Sequence, residues 1–211
     1  MKSTRLTAVM AAMAMSVSGA ALAGVDPLTE IEAPQSEWTY NGTQPDHIVE
    51  VPSFTVPATG VIDYIDSVIP LEFEEEKWVK AVQFIPGDKR VLHHLLSYVV
   101  AEEAAADGVI DEADNDPRRE FLEGYAPGKE YATQYPEGTG IRVPVDSAIR
   151  MSIHYTSFGQ ETVDNTKVGL WFYEENEEPD LDFRTYSVSA NGKDRLHIPA
   201  GAMNHEMAAS H

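Results

Sequence analysis

The chain contains no cysteine in 211 residues. That excludes disulfides and thiolate metal sites, so stability must come from core packing or from a metal held by His, Met or carboxylate. Basic residues are scarce, with 15 Lys and Arg against 35 Asp and Glu and a formal net charge of −20. A surface of that sign is unsuited to nucleic acid, which is expected to be no partner. It attracts cations and repels anions. Beyond the first 23 residues there is no apolar run long enough to span a membrane. Also missing are a nucleophile elbow, a phosphate-binding loop and a dinucleotide fingerprint. Carboxylates are so numerous that their pairs carry little information about acid–base chemistry.

What is there begins with an export signal. Lys2 and Arg5 precede an apolar stretch, Leu6 to Ala20, and Ala21-Leu-Ala23 fits a cleavage site. Residues 1–23 are expected to be removed, leaving a mature chain that starts at Gly24, with a net charge of −22 and a periplasmic or secreted location. No membrane association is expected after cleavage. Residues 24–36 read as a polar leader, and from residue 37 the texture is that of short strands. Candidates are Val61–Ile65, Trp78–Ile85, Val91–Val100, Ala148–Thr156, Val168–Tyr173 and Phe183–Val188, separated by Gly, Pro, Asn and Asp. Pro86-Gly-Asp88 and Asn41-Gly42 are turn signals. The fold class these imply is all-β, an antiparallel β-sandwich of jelly-roll type, over residues 37–188. The acidic segment Glu102 to Glu123 interrupts the pattern; its spacing does not match a calcium loop, and it reads as a solvated loop or short helix.

Seven histidines are present. Two are adjacent, His93 and His94, inside the apolar run Val91-Leu-His-His-Leu-Leu-Ser-Tyr-Val-Val100. Buried imidazole nitrogens need partners. Both faces of this run are apolar, as in a central strand covered on both sides. Successive side chains of a regular strand point to opposite faces, so the pair can share one ion only where the strand departs from an ideal pleat. A third, His154, lies in Ile149-Arg-Met-Ser-Ile-His-Tyr-Thr156. There Ile149, Met151, Ile153 and Tyr155 share one face and Arg150, Ser152, His154 and Thr156 the other. His154 therefore points away from the main core. Three neutral imidazoles suit copper or zinc. From spacing alone, hydrogen-bonded structural histidines are an equal alternative. His47, in Gln44-Pro-Asp-His-Ile48, reads as a solvated loop residue.

The runs Val91-Leu-His-His-Leu-Leu-Ser-Tyr98 and Met151-Ser-Ile-His-Tyr-Thr156 resemble the signature strands of the type II copper, ascorbate-dependent monooxygenases. That family includes peptidylglycine α-hydroxylating and dopamine β-monooxygenases. Gly124-Tyr-Ala-Pro-Gly128, Pro136-Glu-Gly-Thr-Gly140 and Lys167-Val-Gly-Leu-Trp-Phe172 are similar to bacterial members, and the likeness runs from about Trp78 to Met207. It implies two β-sandwich domains with one copper each. The electron-transfer copper of the first would take His93, His94 and His154, and the reductant would be ascorbate or another electron donor. The oxygen-activating copper of the second takes a His-x-His motif and a distant methionine, and this sequence has no His-x-His. Ile198-Pro-Ala-Gly201 resembles the entry to that second domain. Residues 189–211 are thus expected to be a linker or the first strand of a truncated domain, with His197, His205, His211, Met203 and Met207 unassigned. The resulting expectation is the electron-transfer half of a hydroxylase. The alternatives are a stand-alone exported copper-binding or electron-transfer protein, and a structural β-sandwich.

Overall fold

In a computed structural model, which describes residues 37–102, 119–186 and 199–205, hydrophobic alternation becomes strand after strand. In chain order they are β1 (His47–Glu50), β2 (Phe54–Val56), β3 (Ile65–Leu71), β4 (Lys77–Ile85), β5 (Leu92–Ala101), β6 (Arg119–Tyr125), β7 (Thr133–Gln134), β8 (Thr139–Val143), β9 (Ser147–Tyr155), β10 (Thr162–Asp164), β11 (Lys167–Phe172) and β12 (Leu181–Asp182). The elements of the described residues are all strands, and among these residues there is no helix long and apolar enough to cross a membrane. The expected export signal and leader, and the core of the acidic segment, lie outside the described residues.

Two sheets make the sandwich. One has the order β1-β11-β4-β8-β12, with β7 also on β4; the other has the order β3-β9-β5-β6. Pairing is antiparallel except for β12 on β8. The short strands β2 and β10 pair separately. Val79, Val82, Phe84, Val168 and Leu170 from the first sheet meet Leu95, Leu122, Ile149, Met151 and Ile153 from the second in one core cluster. Each such side chain, fully buried, stabilises the fold by about 1.5–3 kcal/mol. A core of this size needs no disulfide.

β4 is covered on both faces; the strand carrying the histidine pair, for which the apolar run had implied this, is so covered only at its Val99–Val100 end. Gln83, fully buried, faces away from the inter-sheet core. Its amide donates to the carbonyls of Glu37 and Glu130, and its Oε1 accepts from the Thr39 N–H at 2.8 Å. Segment 37–46 thereby straps the outer surface, with Trp38 and Tyr40 against Trp171. A Cβ on Gly169 would stand 2.6 Å from both Trp38 and Pro45, so only glycine lets the strap lie flat. Its Asn41-Gly42 turn has φ of 49° and 69°, the left-handed values such a turn demands. On β5 one face enters the main core; the other carries His94, a part-exposed Leu96 and Tyr98, and ends in a small second cluster of Val100 with Ala148.

Other expectations are corrected. Only the last residue of Val61–Ile65 is strand, since Gly60 at φ 119° breaks the chain and Val61 is exposed. Phe183–Tyr186 is not strand, the pairing with β8 having ended at Asp182; residues 187–188 lie outside the described set. The end of the acidic segment is β6, because Leu122 and Tyr125 give it an inward apolar face. His47 opens β1 instead of lying solvated in a loop. Its ring meets Phe73 edge-on at 5.0 Å, and burial lowers its pKa. Residues 199–205 carry no strand, and His205 and Met203 among them are exposed; His197, His211 and Met207 lie outside the described residues.

A buried carboxylate network fixes the entry to β5. Asp164 is fully buried. Its Oδ1 accepts the Asp88 N–H at 2.9 Å, and its Oδ2 accepts the hydroxyls of Tyr155 (2.9 Å) and Thr166 (2.7 Å) and the Thr166 N–H (3.2 Å). The Asp88 carboxylate accepts from the Arg90 guanidinium and N–H and from the Thr162 hydroxyl. Its backbone carbonyl accepts the N–H groups of Val91 and Leu92. Asp164→Ala strands several buried donors and should cost roughly 2–4 kcal/mol, read as a lower denaturant midpoint at unchanged slope. Burial by itself would raise the Asp88 pKa, but the Arg90 and Thr162 hydrogen bonds and the Arg90 charge outweigh it and hold the group below its ordinary 3.8. Below that ordinary value the unfolded chain binds the proton more readily. Stability carried by Asp88 is therefore complete above it and is lost as pH falls through the lower, folded value. Asp88→Asn should flatten the acid limb of a stability-against-pH curve.

Candidate metal centre

The local folding of β5 and β9 decides where the imidazoles go. On β9 burial alternates as the period of two requires, with Ile153 and Tyr155 inward and His154 outward. His94 pairs directly with His154, and Leu92 with Tyr155. One residue of β5, His93, has no counterpart in that ladder. The strand therefore bulges there, and the irregularity that a shared site demanded is present. A bulge leaves two residues facing one on the neighbouring strand and bends the bulged strand. His93 and His94 consequently both lie against His154, with ring centroids 5.0, 5.2 and 4.9 Å apart for the pairs 93–94, 93–154 and 94–154.

The nitrogens converge. His93 Nδ1 and His94 Nδ1 are 2.9 Å apart. Two nitrogens each about 2.0–2.1 Å from one ion, at about a right angle, stand at about that separation. His154 Nδ1 is buried and has no hydrogen-bond partner. One ligand atom from each histidine lies within 4.8 Å of the others, and among the described residues no other such group of His, Cys, Asp or Glu occurs. Opposite ligands of one ion span at most about 4.1 Å, so the widest pair closes by under about 1 Å on binding. Burial, followed by the proximity of His154 and His93, lowers the His94 pKa and favours the neutral ring a metal requires.

Tyr64 was not among the residues singled out from the sequence. It lies in the non-strand segment before β3, and Ile65 pairs with Ile153, so it arrives beside His154. Its ring stacks on His154 at 4.7 Å and 11°, and its hydroxyl is 2.9 Å from His94 Nε2. No local signal in the sequence names its neighbours. The register of β3 on β9 is a long-range fact.

The donor set is three imidazoles with no thiolate or carboxylate. His93 is exposed, so one side is open to a small molecule. Such a set fits a borderline transition-metal ion, and His93, His94 and His154 would hold it. No family model matches the chain, and no curated protein matches it.

The orphaned Nδ1 yields a stability test. A structural histidine earns its place by hydrogen bonds, so its replacement destabilises. His154→Phe keeps the ring against Tyr64 and removes the unpartnered nitrogen. Without metal, this variant should melt at or above the wild-type temperature, by differential scanning calorimetry, because the desolvated polar atom is gone.

Proposed function

We propose that this chain is an exported copper-binding β-sandwich, with His93, His94 and His154 holding the electron-transfer copper of a type II copper monooxygenase-like system. The observation that carries the reading is the bulge at His93, which brings both adjacent imidazoles against the outward His154. A second support is the buried, unpartnered Nδ1 of His154. Copper is preferred to zinc on the general order of divalent affinities, in which Cu(II) exceeds Zn(II). The sequence resemblance points the same way.

Copper bound there would supply reversible one-electron exchange. The chain's part is to hold three ligands in place with little rearrangement and to leave the His93 side open to an electron donor such as ascorbate. Hydroxylation in that family needs a second copper centre, so the proposal is confined to the electron-donating half. The strongly negative net charge of the chain opposes the approach of an anionic donor. The rate of reduction by ascorbate should therefore rise with ionic strength, measured by stopped flow, while that of a neutral donor stays level.

The direct test is titration of the purified protein with Cu(II), followed by electron spin resonance. One type II signal per chain is expected, and it should disappear in His154→Ala. The affinity loss should exceed the ~10–100-fold that removal of an outer partner causes. Unchanged binding in His154→Ala, or displacement of bound copper by equimolar zinc, would refute the assignment.

A further inference from the structure

Tyr64 touches two of the three histidines, His154 through its ring and His94 through its hydroxyl. The nitrogen of His94 that faces His93 is Nδ1, and the one that faces Tyr64 is Nε2. A neutral imidazole carries one proton. When Nδ1 offers its lone pair to an ion the proton sits on Nε2, and Nε2–H then donates to the Tyr64 hydroxyl oxygen at 2.9 Å. The same side chain, through its ring, is stacked nearly parallel on His154. One residue thus offers an acceptor to the ligating tautomer of His94 and restrains the ring plane of His154.

We infer that Tyr64 is a positioning residue that sets both the affinity of the histidine centre and its preference between the two copper oxidation states. This rests on the reading that the triad binds copper. The mechanism is electronic as well as geometric. An acceptor on the distal N–H makes an imidazole a better donor, and a better donor favours the more highly charged ion. The stack on His154 acts on both oxidation states, since it fixes only orientation.

The placement makes the idea testable. Tyr64 is 58% exposed and precedes β3 instead of lying within it, so its loss leaves the ladder and the core intact. Tyr64→Phe keeps the ring and removes the acceptor; Tyr64→Leu removes both. The protein is loaded with copper alone. Affinities for Cu(II) and Cu(I) are taken by chelator competition, the midpoint potential by spectroelectrochemistry, and the nitrogen superhyperfine pattern by spin resonance.

Tyr64→Phe should weaken Cu(II) about tenfold more than Cu(I), which is a rise of about 59 mV in midpoint potential for a one-electron couple. Tyr64→Leu should also weaken Cu(I) and broaden the nitrogen pattern. Both variants should melt like the wild type when metal-free. A merely structural tyrosine would change the melting temperature and leave the potential alone, and that result overturns the inference. So do wild-type affinities and potential in both variants. The two readings fail separately. If the wild type binds one copper and His154→Ala does not, the centre stands and only the role of Tyr64 is judged. If the wild type binds none, the copper reading falls and this inference with it.

Discussion

The centre depends on one extra residue in β5. Side chains on a strand alternate, and no choice of rotamer brings two adjacent ones to the same face of a regular ladder. His93 escapes the alternation because it has no partner on β9, while its neighbours Leu92 and His94 keep theirs. Everything else about the centre is ordinary sheet geometry. His94 faces His154 because the strands are antiparallel and in register, and His154 faces outward because Ile153 and Tyr155 are needed inside.

A bulge is a local irregularity and needs anchoring, which the buried carboxylates provide. Tyr155, the partner of Leu92, gives its hydroxyl to Asp164. The residues leading into β5 are gathered by Asp88, whose own N–H is held by the same Asp164. The approach to β5 and the β9 residue paired with Leu92 therefore both end on one desolvated carboxylate. Phe54 stacks on the Tyr155 ring at 5.2 Å. The polar network and the apolar core act on the same few residues, which is how a short irregular stretch stays defined in a protein with no covalent cross-link.

Short apolar runs broken by Gly, Pro and Asn were enough to reveal the all-β sandwich, and the outward direction of His154 followed from the alternation around it. The need for an irregular strand at His93-His94 was likewise legible, because it is a local consequence of pleat geometry. The misreadings share a cause. Taking the apolar run of β5 for a strand covered on both faces ignored that Leu96 and Tyr98 can lie on an open face. The strap that really covers an outer face lies on β4, through Gln83 and Trp38, residues that carry no periodic signal. His47 was read from its polar neighbours, but the ring that half-buries it, Phe73, is 26 positions away. Tyr64 was invisible for the same reason. Patterns of two and three residues can be read from a sequence; register and docking depend on partners far along it.

Because His93 is the one residue the ladder does not use, the scaffold and the centre are separable by a single codon. Removing it would set Leu92 directly beside His94, opposite Tyr155 and His154, in an uninterrupted antiparallel pair. Chains with and without the triad can thus share the same core, strap and buried carboxylates. In a lineage built on this sandwich, gain or loss of the centre would be an insertion or deletion of three nucleotides, far easier to traverse than the redesign of a core.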